Sequence, residues 1–118
     1  MNEIGIHDSI KDELKIFKFA RNSLSYQYLI DAIYIVSMNP LAIKDFKNTV
    51  YNEIAKKYNT ESKNIQWCLT KIVFTMLLNT NKNVIYDYFR ICEEDKITTK
   101  EFIIFIGEKV KNKMCVNK

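Results

Sequence analysis

The sequence predicts an all-α fold, a single six-helix domain over residues 1–118, and three observations carry that expectation. Apolar residues recur at helical spacing along almost the whole chain. Glycine occurs twice and proline once, too rarely for the tight turns of a hairpin-rich fold. The chain is 47% hydrophobic and 27% charged, the balance of a globule with its own core, and 118 residues suffice for one domain but not two.

Each element has its own signal. Asp8 to Phe19 places Ile10, Leu14 and Phe17 on one stripe, with Lys11, Lys15 and Lys18 opposite. Ser25 is suited to cap a second helix whose apolar face is Tyr28, Leu29, Ala32, Ile33 and Val36. That helix should stop at Asn39, because Pro40 disfavours helical geometry in the residue before it. A third helix, from about Ile43 to Tyr58, uses Phe46, Val50, Ile54 and Ala55. A fourth is expected from Thr60 to about Leu78, and a short fifth from Val84 to Ile91. Thr98 and Glu101 form a capping box for the sixth, in which hydroxyl and carboxylate each satisfy a free backbone N–H. It continues through Phe102, Ile103, Phe105, Ile106 and Val110 into a lysine-rich end, Lys109 to Lys118, that suits the negative pole of the helix dipole.

Composition excludes several functions. Cys68, Cys92 and Cys115 are odd in number and contain no CxxC, so free buried thiols in a reducing cytoplasm are expected. Glu3, Asp8 and Asp12 occupy the N-terminus where a secretory signal would be basic and then apolar. The most apolar stretch, Tyr28 to Met38, is broken by Asp31 and too short to span a bilayer. His7 has no nucleophile with a recognisable elbow around it, and Gly5 and Gly107 alone cannot make a phosphate-cradling loop. The run Glu93-Glu94-Asp95 lacks the alternating oxygen ligands and glycine of a calcium loop, and reads as a solvated loop. An enzyme, a cofactor, a bound metal, a small-molecule substrate and a membrane are therefore not expected.

Charge is uneven. Residues 44–81 hold six basic and three acidic side chains, and residues 96–118 six and two, whereas residues 82–95 are net acidic. Sixteen of the 18 basic residues are lysine and the chain is rich in Ile and Asn, a bias that an AT-rich genome also produces. The two basic segments are compatible with a phosphate backbone, and equally with a solvated lysine face.

The informative segment is Thr49 to Leu78, which reads as helix, joint and helix. Asn59 tolerates the left-handed conformation that ends a helix, and Thr60 is a good N-cap for the next. Ala55, one turn before the joint, lets two helices cross closely, with Ile54 and Ile65 packing beside it. These are the needs of a helix-turn-helix, whose second helix enters the major groove; any αα-corner shares them.

The run Val50-Tyr51-Asn52-Glu53-Ile54-Ala55-Lys56-Lys57-Tyr58-Asn59-Thr60 resembles the "IAKKFNTT" helix-turn-helix of the effector domain of the stage-zero A sporulation response regulators. Tyr26 to Ile33 is similar to that family's "GYLYLREAI" helix, and Thr98 to Ile103 to its "PTNSEFI" helix start. The resemblance spans roughly residues 8 to 113. It implies a six-helix domain that binds double-stranded DNA, often as a tandem dimer, and regulates transcription in an endospore-forming bacterium. Two departures stand out. In the family this domain follows a phosphorylatable receiver, and here Met1 lies a few residues before the first helix, so a stand-alone regulator is expected. The family's "SRVERAIRHAIE" recognition helix is here Lys63 to Phe74, and its three arginine positions fall on Asn64, Trp67 and Thr70.

An arginine–guanine pair carries roughly 1–3 kcal/mol of base discrimination, so three additive losses remove roughly 3–9 kcal/mol. That is comparable with the whole gap of about 4–10 kcal/mol between specific and non-specific binding, and the family's site preference should not survive. The new residues suit another, AT-rich site. Asn64 and Gln66 match adenine, Thr70 a thymine methyl, and Lys63 and Lys71 phosphates. In the resulting arrangement Asn64, Gln66, Trp67, Thr70 and Lys71 face the groove, while Lys56, Lys57, Asn59, Thr60 and Lys63 approach the backbone.

Ile65, Cys68, Leu69, Ile72, Val73 and Met76 share one face of this helix, and Trp67 and Phe74 the opposite one. Either another helix of the domain covers those two rings, or they stack on DNA, or they form a protein contact. In the last case the chain pairs with itself or with a full-length sporulation regulator through the Trp67/Phe74 face.

Overall fold

The computed structural model describes residues 3–116, and the side chains of residues 5–114. It is all-helical, with six α-helices and no strand among the described residues. Helix α1 (Glu3–Glu13) passes into a 3-10 turn (Leu14–Ile16) and ends at Phe17 in extended geometry, short of the Phe19 predicted. The stop has a visible cause. The Arg21 guanidinium turns back and donates to the carbonyls of Leu14, Lys15 and Phe17 at 3.2, 3.2 and 2.8 Å. Carbonyls that a continuing helix would have used are thus satisfied by a side chain.

Helix α2 (Leu24–Met38) is capped by Ser23, not Ser25: the Ser23 hydroxyl accepts the Tyr26 N–H at 3.2 Å and donates to the Ala20 carbonyl at 2.8 Å. Its end at Asn39 agrees with the proline argument, and the Asn39 side chain caps the 3-10 turn Pro40–Ile43 that follows. The third helix is less regular than predicted. A wide π-helical turn (Lys47–Tyr51) leads into α3 (Asn52–Lys57). Phe46, Val50, Ile54 and Ala55 are nonetheless buried, and the wide turn adds Tyr51, edge-on to Phe46 at 5.2 Å.

Helix α4 (Ser62–Asn79) starts two residues later than predicted, and α5 (Lys82–Phe89) two residues earlier because Asn81 accepts the Asn83 N–H. Arg90, in left-handed geometry at φ 55, ends α5. Helix α6 (Thr99–Val116) opens on the expected capping box, with Thr98 and Glu101 exchanging bonds of 3.0 and 3.1 Å. The Thr98 backbone N–H first, and then its side chain, hold the Glu101 carboxyl below its ordinary range. Lys118 and the Cys115 side chain lie outside the described residues.

Helix α2 is the axis of the molecule, packed on α6, α4 and α1. It crosses α6 closely at Gly107, where an added Cβ would sit 2.9 Å from Val36 Cγ1. The buried side chains form one continuous cluster from Ile6 to Val110. Within it, at the end where α1, α5 and α6 meet, Phe17, Phe89 and Phe102 pack with ring centroids 5.4–5.9 Å apart. No helix among the described residues is long and apolar enough to cross a membrane.

Candidate nucleic-acid interface

The joint between α3 and α4 is built by backbone hydrogen bonds around Asn59. At φ 54, Asn59 takes the left-handed conformation expected of it. The Thr60 N–H then reaches the Ala55 carbonyl at 2.9 Å and the Asn59 N–H that of Lys56 at 3.4 Å. This paired pattern closes the end of α3 and fixes the angle at which the chain leaves it. Ala55, Ile54 and Ile65 are buried at the crossing, as the helix-turn-helix argument requires. Thr60 does not cap α4. Glu61 holds the cap position by backbone geometry alone, and Thr60 instead accepts a bond from Asn64 Nδ2 at 3.1 Å.

Helix α4 separates cleanly into two faces. Ile65, Leu69, Ile72, Val73 and Met76 are buried, with Cys68 at their margin. On the other side Lys63, Asn64, Gln66, Trp67, Thr70, Lys71 and Phe74 are exposed. Trp67 is 64% and Phe74 61% exposed, so no other helix of the domain covers them. All five residues assigned to the groove therefore share one open surface. Asn64 is partly engaged, through Thr60 and a weak contact from the Cys68 thiol at 3.7 Å.

Of the residues assigned to the backbone, Lys56, Asn59 and Lys63 are exposed and Thr60 is half-buried. Lys57 has a partner that its position on the helix did not suggest. Its ammonium lies 3.1 Å from Asp31 Oδ1, and the Tyr58 hydroxyl donates to Asp31 Oδ2 at 2.6 Å. The Asp31 carboxylate is buried on α2, so these two bonds lock the α3–α4 joint to the axial helix. Burial, and then the bond to Asp31, push the Tyr58 hydroxyl far above its usual range, which keeps it a donor. A second tie joins the starts of α3 and α4, where the Ser62 hydroxyl donates to Asn52 Oδ1 at 2.5 Å. Asp31 and Tyr58 were missed as parts of the site. The available signal was a lone carboxylate inside the most apolar run of the chain, which needs a partner.

Other expectations are corrected or located. Cys92 is exposed and Cys68 half-buried, so these two are free thiols but not the buried ones expected. The imidazole of His7 stacks edge-on to Tyr34 at 4.9 Å, and its Nε2 is buried without a hydrogen bond. Glu93, Glu94 and Asp95 are solvated, and the Asp95 carboxylate accepts the Cys92 N–H, closing the loop on itself. Among the described residues no three His, Cys, Asp or Glu side chains are grouped to hold a metal ion.

No curated protein matches the chain. The family described as sporulation initiation factor Spo0A C terminal matches residues 10–110, which include α2 to α5 entire, the joint and most of α6.

Proposed function

Because the chain belongs to the Spo0A C-terminal family, a family of DNA-binding sporulation regulators, we propose that it regulates transcription by laying the exposed face of α4 in the major groove of duplex DNA. The observation that carries this reading is the open stripe from Lys63 to Lys71, presented by a rigidly closed α3–α4 joint. Asn64 and Gln66 are positioned to read adenine edges, Thr70 a thymine methyl, and Trp67 to stack or fill the groove. Lys56, Lys63 and the Asn59–Thr60 turn approach phosphates. With the arginine positions changed, the preferred site is AT-rich and differs from that of relatives that keep them.

A mobility-shift titration with AT-rich duplex tests this. Binding is expected at about 50 mM salt and should fall steeply toward about 200 mM, as counterion release requires. Trp67→Ala and Gln66→Ala should flatten the preference among duplexes without altering the melt. Absence of a complex at the lower salt ends the proposal.

The exposure of Trp67 and Phe74 supports a second reading. Two rings two turns apart, on a face that also exposes Leu78, suit a protein contact, by self-association or with a full-length sporulation regulator. Sedimentation separates the readings: a protein that stays monomeric at high concentration and ignores the regulator excludes this one.

A further inference from the structure

A groove of about 430 Å³ runs along α4 on the side facing the segment between α1 and α2. Lys71, Thr75 and Asn79 form one wall, spaced by single turns along about 12 Å of helix. Lys18, Ser23 and Ser25 form the other wall. Phe19 and Met76 lie between them, and no carboxylate lines the groove. The far wall is fixed rather than loose. The Lys18 N–H donates to Thr80 Oγ1 at 2.9 Å, pinning the segment to the end of α4, and Ser23 is committed to capping α2. By contrast the side chains of Lys18, Ser25, Lys71, Thr75 and Asn79 make no ion pair or hydrogen bond among the described residues.

We propose that this groove seats the phosphodiester backbone of one DNA strand, extending the interface beyond the helix-turn-helix to Lys18 and Ser25. Two lysines, Lys18 and Lys71, line a carboxylate-free channel, a charge pattern complementary to a polyanion. The Ser25 and Thr75 hydroxyls and the Asn79 amide supply neutral donors of the kind that hold phosphate oxygens. Lys71 lies one turn beyond Trp67, so a helix seated in the major groove brings a flanking strand to this channel. The inference rests on the DNA reading above and names a contact that the helix-turn-helix does not include.

The test compares salt dependence for the full chain, Lys18→Ala, Lys18→Glu and a control, Lys11→Ala, on an exposed position of α1, a helix packed on α2 and α6. Lys18→Ala is expected to weaken binding by the same factor on every duplex and to lower the slope of log affinity against log salt by about 0.9, one phosphate contact. Lys18→Glu should weaken binding further, and Lys11→Ala should change neither quantity. Thermal melts of all three should match the parent, since both lysines are exposed. If the parent binds DNA and Lys18→Ala leaves slope and affinity intact, the groove is not a phosphate seat while the DNA reading stands. If Lys11→Ala reproduces the effect, only net charge is at work and the seat is overturned. If the parent binds no duplex, both fall together.

Discussion

The two ends of this molecule use the same residue types to opposite purposes. Where α1, α5 and α6 meet, lysines and aromatic rings are partnered in one cluster. Lys113 pairs with Glu13, the Tyr88 hydroxyl donates to the same carboxylate, and the Lys109 ammonium lies 4.6 Å from the Tyr88 ring centroid. On the outer face of α4, Lys63, Lys71, Trp67 and Phe74 have no such partners among the described residues. An open set of this kind is what the DNA reading proposed above requires of α4. The contrast predicts that substitutions at the closed end act on folding, and those on α4 act on binding.

The largest effect tests this directly. Phe102 is fully buried among Phe17, Phe89 and Phe19, and Phe102→Ala should cost about 3–5 kcal/mol in urea unfolding. Phe74→Ala removes the same side chain from an exposed position and should stay within about 0.5 kcal/mol. A cost for Phe74→Ala comparable with that for Phe102→Ala would erase the distinction between the two ends.

Next in size is Glu13, whose carboxylate is 10% exposed while its partner Lys113 is 47% exposed. Burial alone would raise its pKa, but the bonds from Lys113 and Tyr88 and the charges of Lys113 and Lys109 outweigh that and hold it below the usual range. A carboxyl lowered in the folded state stabilises above its unfolded pKa, and that stabilisation is lost as pH falls through the folded value. Glu13→Gln should therefore cost about 1–2 kcal/mol near neutral pH, less than a fully buried pair because Lys113 remains half-solvated. The gap between variant and parent urea midpoints should be full above the ordinary carboxylate range and close as pH falls through and below it. A gap independent of pH would mean that the cluster contributes packing but not charge.

A smaller cost is expected at Gly107. Alanine normally gains about 1 kcal/mol over glycine in a helix, but here its Cβ would press on the stiff, buried Val36. Overpacking of about 1–3 kcal/mol outweighs the gain, leaving Gly107→Ala destabilised by about 1 kcal/mol. Val36→Ala in the same chain should recover part of the loss, a coupling that a double-mutant cycle of denaturation midpoints measures.

Much of this was legible in the sequence, for identifiable reasons. Apolar spacing located the six helices because burial of one face is what makes each of them stable, and Ile10, Leu69 and Ile106 all fell inside. Asn59 and the Thr98–Glu101 box were readable because local backbone needs select few residue types. Choices between equivalent neighbours were not readable: Ser23 and Ser25 both make good caps, and only the Ala20 carbonyl distinguishes them. The wide turn at Lys47–Tyr51 escaped because the buried positions it serves also fit an ordinary helix. Exposure of Trp67 could not be read from α4, which is apolar on both sides; it follows from α2, α3 and α6 packing on the other face alone. The wall carrying Lys18 and the pairing of Lys57 with Asp31 join residues far apart in the chain, beyond the reach of any local pattern.

That pairing yields the smallest and most specific effect. Lys57 is 56% exposed but pairs with a buried carboxylate, so in the proposed complex its charge would already be partly offset. A phosphate that recruits it competes with Asp31. In Asp31→Asn the Tyr58 hydroxyl can still donate to the side-chain carbonyl, which preserves the tie to α2, while the lysine is released. Duplex affinity at low salt should then rise slightly, with the salt slope steeper by up to about 0.9, the value of one added phosphate contact. Lys57→Met should abolish that gain when combined with Asp31→Asn. Weaker binding by Asp31→Asn with an unchanged slope would instead make Asp31 a brace for the joint, its charge of no consequence to DNA.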